Sequence, residues 1–233
     1  GHDLDRRRCE LATIARNNRL DLVVQNIAAS QVATTPESSA QARDNTEAVG
    51  MSVTVIDRGE QFTSGAARPT AAGIKAFGEM ADAYGRIEAG QTAGESRKRR
   101  DAMRILLVGH TDDTGSSAGN AELSEARARE VARIFESKGF SSAQIFYQGA
   151  GETLPIADNK DDAGRAKNRR VEIIDLSDDA ALAAYLANRR PNMTPSGASA
   201  AWQRHSARCS RRTDLSIVSS SASSSTAPRR SRS

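Results

Sequence analysis

The segment GHTDDTG, residues 109–115, groups two carboxylates (Asp112, Asp113) and two hydroxyls (Thr111, Thr114) between two glycines. The apolar run RILLV precedes it directly and reads as a buried strand. The segment therefore occupies the loop at the strand's carboxyl end, where open α/β sheets gather ligands. A second charged position stands out in NAELSEARAREVARIFESKG. Leu123, Val131, Ile134 and Phe135 fall on one side at helical spacing, and Arg127 lies in the same line. With Asn120 as N-cap, the Arg127 side chain aims at the sheet and back toward the GHTDDTG loop. Two readings follow. Asp112 and Arg127 could be an internal ion pair, with Asp112 and Asn120 as turn and cap residues. Alternatively they face one small space and bind a zwitterion. An ammonium would then sit on Asp112, and a carboxylate would take the bidentate fork of Arg127, which lysine cannot copy. The helix N-terminus would add amide donors for that carboxylate.

The surrounding elements have to hold these groups together. MSVTVI from Met51 alternates as a strand, with Val53 and Val55 on one face. Thr70 after Pro69 is an N-cap candidate for a helix whose stripe is Ile74, Phe77, Ala81 and Tyr84. Residues 89–101 read as a polar, charged connection. The Arg127 helix ends near Gly139, a C′ candidate. AQIFYQGAG and RRVEIIDL read as further strands. This order predicts an α+β fold, a β-α-β-α-β-β layer with one mixed sheet and helices packed on one face. Residues 1–50 divide into a possible helix, RRRCELATIARNNRLDLVVQNIA, and a small, polar linker. The predicted domain runs over 51–176, a short helix over 177–190, and a Ser/Arg-rich tail expected to be disordered over 191–233.

Composition narrows the classes. Aromatics make up only 4% of the 233 residues, so one core with peripheral segments is expected. No run of eighteen apolar residues offers a membrane-spanning helix. The net charge of +4 is a property of the tail, where residues 191–233 hold seven arginines and one acid. Residues 1–190 hold 26 basic against 28 acidic side chains. Nucleic-acid binding would therefore rest on the tail and on RKRR at 97–100, where only Trp202 in the tail could stack on bases. Gly1-His2 reads as a trimming scar, which leaves the native precursor open. Cys9 and Cys209 have no partner at metal-ligand spacing; they could pair only if the termini meet, and otherwise read as incidental thiols. Cys9 follows three arginines, which argues against a lipoprotein box. His110, Asp112 and Asp113 could together hold a metal for hydrolysis. Against that, no nucleophile–base pair or H-E-x-x-H motif accompanies them.

Taken in order, GHTDDTG, NAELSEARAREV, GAGETLP and NKDDAGRAKNRRVEI resemble the OmpA-like C-terminal domain family over about residues 51–175. That family includes the periplasmic domain of outer membrane protein A, the peptidoglycan-associated lipoprotein and the flagellar stator anchor. The resemblance implies non-covalent binding of peptidoglycan through the diaminopimelate of its stem peptide, without a cofactor and without enzymatic activity. It also implies a periplasmic site, associated with the outer membrane or cell envelope. Asp112 matches the family position that takes the diaminopimelate ammonium, and Arg127 the one that takes its carboxylate. Thr114, Asn120 and Leu123 match pocket-lining positions. Arg169 matches a further position near the ligand, with a salt bridge to Asp158 as its structural alternative. The stretch VTVIDRGEQFTSGAARPT matches only loosely, with Phe62 as the candidate aromatic wall. Membrane-anchored envelope proteins are expected partners through residues 1–50, and no nucleic acid is expected.

Overall fold

The computed structural model describes residues 2–29, 48–86 and 90–187. Five strands form one mixed sheet: β1 (Asp21–Ala28), β2 (Ala48–Ile56), β3 (Arg104–His110), β4 (Ile145–Gly151) and β5 (Arg170–Leu176). Their spatial order is β1-β2-β5-β3-β4. Only β3 and β4 run parallel, and the other neighbours are antiparallel. A parallel pair needs a crossover. Helix α4 (Ser117–Ser137) supplies it and packs over both strands.

Alternation along the strands sends side chains to two cores. Val53, Val55, Ile105, Leu107, Val171 and Ile173 face α1 (His2–Asn18), α2 (Ala71–Gly85) and α4. The helices contribute Leu11, Phe77, Tyr84, Val131 and Phe135. Leu106, Val108, Ile174 and Leu176 face the other way, where Leu182 of α6 (Asp179–Ala187) joins them. The expected α+β layer is thus the observed one, except that α6 lies on the face opposite the other packed helices.

The N-terminal stretch differs from its reading as one helix and a linker. The helix stops at Asn18, and Arg19 turns the chain with φ of 53°. Residues 21–28 then form an edge strand paired with β2. Leu11, Ile14, Leu22 and Val24 all enter the main core, so α1 and β1 belong to the folded body. Within α1, Cys9 is disulfide-bonded rather than a free thiol, and Cys209 lies outside the described residues. The linker proper and the tail also lie outside them.

Two further corrections have local causes. The polar connection at 89–101 contains a helix, α3 (Ala93–Ala102), opened by a capping box between Thr92 and Glu95. It buries only Ser96, so no apolar stripe announces it. Ile74 is 50% exposed, because α2 turns Gly73 toward the Gln61 backbone instead. Thr70 is the N-cap of α2, as its sequence position suggested.

Close approach of α4 to the sheet depends on two glycines. A Cβ on Gly109 would fall 2.1 Å from the Ser124 carbonyl oxygen. One on Gly149 would fall 2.5 Å from the Glu125 amide nitrogen. Gly109→Ala is expected to destabilise the fold by about 1–3 kcal/mol, since backbone has to move. Gly94→Ala in α3 meets nothing closer than 3.9 Å and should leave the melting temperature unchanged or raise it. Thermal melts of the two variants check the contrast.

Candidate functional site

The GHTDDTG loop leaves β3 at its carboxyl end and is tied down at once. The Thr111 amide donates to the Gly151 carbonyl at 2.9 Å. Asp112, 8% exposed, accepts the Thr114 amide on Oδ1 at 2.9 Å, closing a tight turn. Its other oxygen, Oδ2, accepts Arg169 Nη1 at 2.6 Å. The N-cap of α4 is Ser116, so Asn120 sits one turn inside the helix instead of capping it. There its amide bridges the Asp112 carbonyl and the Glu152 carboxylate, each at 3.3 Å. Glu152 also accepts the Ser117 hydroxyl at 2.8 Å.

Arg127 is buried at 6% exposure in the apolar line of α4, as its spacing requires. It does not pair directly with Asp112. Nε donates to the Ala66 carbonyl at 2.9 Å and Nη2 to the Thr63 carbonyl at 3.2 Å. The guanidinium carbon lies 5.0 Å from the centre of the Phe62 ring, so Phe62 is its aromatic wall. Arg127 thereby clamps the loop after β2. Burial lowers its pKa, Asp57 and Asp112 oppose that shift, and Arg169 adds to it. Two arginines and two aspartates therefore share one field at the end of the sheet.

Arg169 is half-buried and its partner is Asp112, not Asp158, which closes its own turn onto the Lys160 amide. The preceding Asn168, last residue of α5 (Asp162–Asn168), fixes the approach. Fully buried, it accepts the Ile156 and Ala157 amides and donates to the Ala157 carbonyl. The residues singled out from the sequence thus separate into groups. Asp112, Thr114, Asn120 and Arg169 are joined by hydrogen bonds, and Arg127 is joined to them by charge. Leu123 is half-buried and lines a groove on the outer side of α4 with Glu122, Ala126 and Arg129. Sequence reasoning missed Asp57, Glu152 and the Thr63 and Ala66 carbonyls. Of these, only Glu152 carried a signal, as the acid of GAGETLP.

The metal reading of His110, Asp112 and Asp113 fails on geometry. His110 is the last residue of β3 and points to the sheet face away from α4, where its Nε2 lies 3.0 Å from Glu172 Oε1. Arg170 extends this buried cluster and holds the Leu154 carbonyl at 2.8 Å. Asp113 is exposed. No cluster of three or more metal-ligating side chains occurs among the described residues.

Burial pushes the Asp112 carboxyl up, but the Arg169 bond and the Thr114 bonds outweigh it and hold it below the usual carboxylate range. A depressed folded pKa stabilises above the unfolded value and ceases to do so as pH falls through the folded one. That contribution is present at neutral pH and is lost on acidification below about pH 4. Asp112→Asn should flatten this part of the acid-unfolding profile, which denaturant titrations from neutral to acidic pH will show.

Residues 87–169 match the OmpA family. The chain is 47% identical over 74 residues to the outer-membrane lipoprotein YfiB of Pseudomonas aeruginosa, spanning 32% of this chain and 44% of that protein. It is 45% identical over 71 residues to the peptidoglycan-binding protein ArfA of Mycobacterium tuberculosis, spanning 30% and 22%. The solved cell wall anchor of the T6SS from Pseudomonas aeruginosa superimposes with a TM-score of 0.49 at 24% identity, over 72% of this chain and 95% of that one. Over residues 87–169 the chain is thus similar to the OmpA family, in line with the resemblance of its four motifs. It spans less than half the length of the two curated relatives named here.

Proposed function

We propose that this chain is a cell-wall anchoring module that binds peptidoglycan without covalent chemistry, through the diaminopimelate of the stem peptide. The observation that carries the reading is the convergence of Asp112, Arg127 and Arg169 at the carboxyl end of β3. A zwitterionic centre presents one ammonium and one carboxylate. The Asp112 carboxylate, already ionised and turned toward a guanidinium, is an acceptor for the ammonium. Arg127 and Arg169 supply positive charge for the carboxylate, with the first turn of α4 beside them. Binding of this kind requires no bond to be made or broken. A relative named as peptidoglycan-binding, ArfA, supports the same ligand.

The location proposed is the periplasm, against the outer membrane or an envelope complex. The names of YfiB, outer membrane protein A of Bordetella avium and outer membrane porin F of Pseudomonas fluorescens agree with it. A disulfide-bonded Cys9 also fits an oxidising compartment. Attachment to a membrane-anchored partner through the N-terminal stretch would use a folded surface, since α1 and β1 are part of the body.

Co-sedimentation with purified diaminopimelate-type peptidoglycan at moderate salt tests the proposal. The parent should pellet and Asp112→Ala should stay in solution. If both pellet, charge on the basic tail binds the wall and the pocket assignment fails. If neither pellets, the ligand is wrong.

A further inference from the structure

Helices α1 and α2 leave between them a groove of about 430 Å³, with room for several side chains. Cys9, Glu10, Thr13 and Ile14 line it from α1, and Glu79 and Asp82 line it from α2. Two arginines of the lining, Arg6 and Arg86, both approach Glu10, each at 3.6 Å. Glu10 Oε2 is nevertheless buried and accepts no hydrogen bond among the described residues. Glu79 and Asp82 pair with Lys75 and Lys138, which lie outside the lining, and their side chains stay 37% and 48% exposed. The groove therefore presents three carboxylates and an open acceptor to a cationic occupant.

One wall of the groove carries a covalent bond. Cys9 is disulfide-bonded, and no free cysteine occurs among the described residues. The structure is that of one chain with two cysteines, so the partner of Cys9 is Cys209. Cys209 stands in SARCSRRT, residues 206–213, which holds three arginines and no acid. Its charge is complementary to the groove. The connection is also long enough. Helix α6 ends at Ala187 on the sheet face opposite α1, and residues 188–208 lead from there to Cys209. Extended, that stretch spans roughly 70 Å. A five-stranded sheet is only about 25 Å across, so the chain can round its edge.

We infer that residues 206–213 are the occupant of the α1–α2 groove, held there by a Cys9–Cys209 disulfide and by Arg208, Arg211 and Arg212 set against Glu79 and Asp82. The bond joins the two Sγ atoms with loss of two protons and two electrons, which a disulfide oxidant takes up by exchange. The C-terminal segment is then a strap across the helix layer, and its arginines are neutralised by the protein's own acids. None of these residues belongs to the Asp112 site, so the inference is independent of what that site binds.

Peptide mapping of the full chain without reductant tests the bond. A cross-linked pair of peptides, one with Cys9 and one with Cys209, is expected, two hydrogens lighter than the two thiol peptides. Trypsin cleavage of the native chain after Arg208, Arg211 and Arg212 tests the seat. It should be about tenfold slower in the parent than in Cys209→Ser, because proteolysis follows the open population. Glu79→Lys with Asp82→Lys should bring cleavage to within about threefold of the Cys209→Ser rate while the disulfide stays intact. Both acids are on the surface, so circular dichroism should show the double variant folded. Two free thiols overturn the inference, and so does a disulfide between two copies of the chain. Equal cleavage rates in the parent and in Cys209→Ser overturn it as well. Protection that survives the double reversal removes the groove as the seat, and also overturns it.

Discussion

Asp112→Ala and Arg127→Ala are each expected to weaken binding of diaminopimelate-type peptidoglycan by about 2–5 kcal/mol, roughly 30- to 4,000-fold. The two losses have different physical content. Asp112→Ala removes the acceptor for the ammonium and leaves Arg169 without its 2.6 Å partner. Arg127→Ala removes a buried cation that holds the Thr63 and Ala66 carbonyls and stacks on Phe62. The second variant should therefore also loosen residues 57–69, which hydrogen exchange would report. Arg127→Lys keeps the charge but cannot reach two carbonyls and cover the ring with one planar fork, so it should rescue only part of the affinity. Titration with soluble stem peptide containing diaminopimelate measures all three. Parental affinity in both alanine variants would remove Asp112 and Arg127 from the ligand site.

Arg7→Ala is expected to cost about 3–5 kcal/mol of folding stability, because it leaves a buried carboxylate unpaired. Arg7 Nη1 donates to Asp175 Oδ2 at 2.7 Å, and both side chains are nearly inaccessible. The guanidinium carbon also lies 4.6 Å from the centre of the Tyr84 ring. Asp175 occupies the helix-facing side of β5 among apolar neighbours, so removal of its partner exposes the full desolvation penalty. Replacing both partners together, Arg7→Met with Asp175→Leu, should recover most of the loss, since buried ion pairs contribute little against apolar substitutes. Urea denaturation of the single and double variants decides the matter. A small effect of Arg7→Ala would mean that α1 is not held in the core.

The amino-acid sequence by itself determined whatever depends on near neighbours. Alternation in MSVTVI and RRVEIIDL marked the strands, helical spacing marked α2 and α4, and Thr70 and Gly139 marked their ends. The GHTDDTG turn was legible because an Asp side chain reaches an amide two residues on. So was the position of Arg127, because helix periodicity fixes the direction of a side chain within a turn or two.

Tertiary structure decided the partners. Asp112 meets Arg169 across 57 positions only because β5 pairs with β3 in a register that brings His110 opposite Arg170. Arg127 bonds two carbonyls, groups that every residue carries and no residue type announces. The fold buries His110 against Glu172 at the end of β3 while Asp112, in the loop beyond, meets Arg169, which removed a metal site that looked plausible in the linear chain. Burial of Arg7 with Asp175 made a core element of an arginine-rich N-terminus that the sequence marked only as a possible helix. Local spacing sets where a side chain points, whereas the register of distant strands sets what it meets.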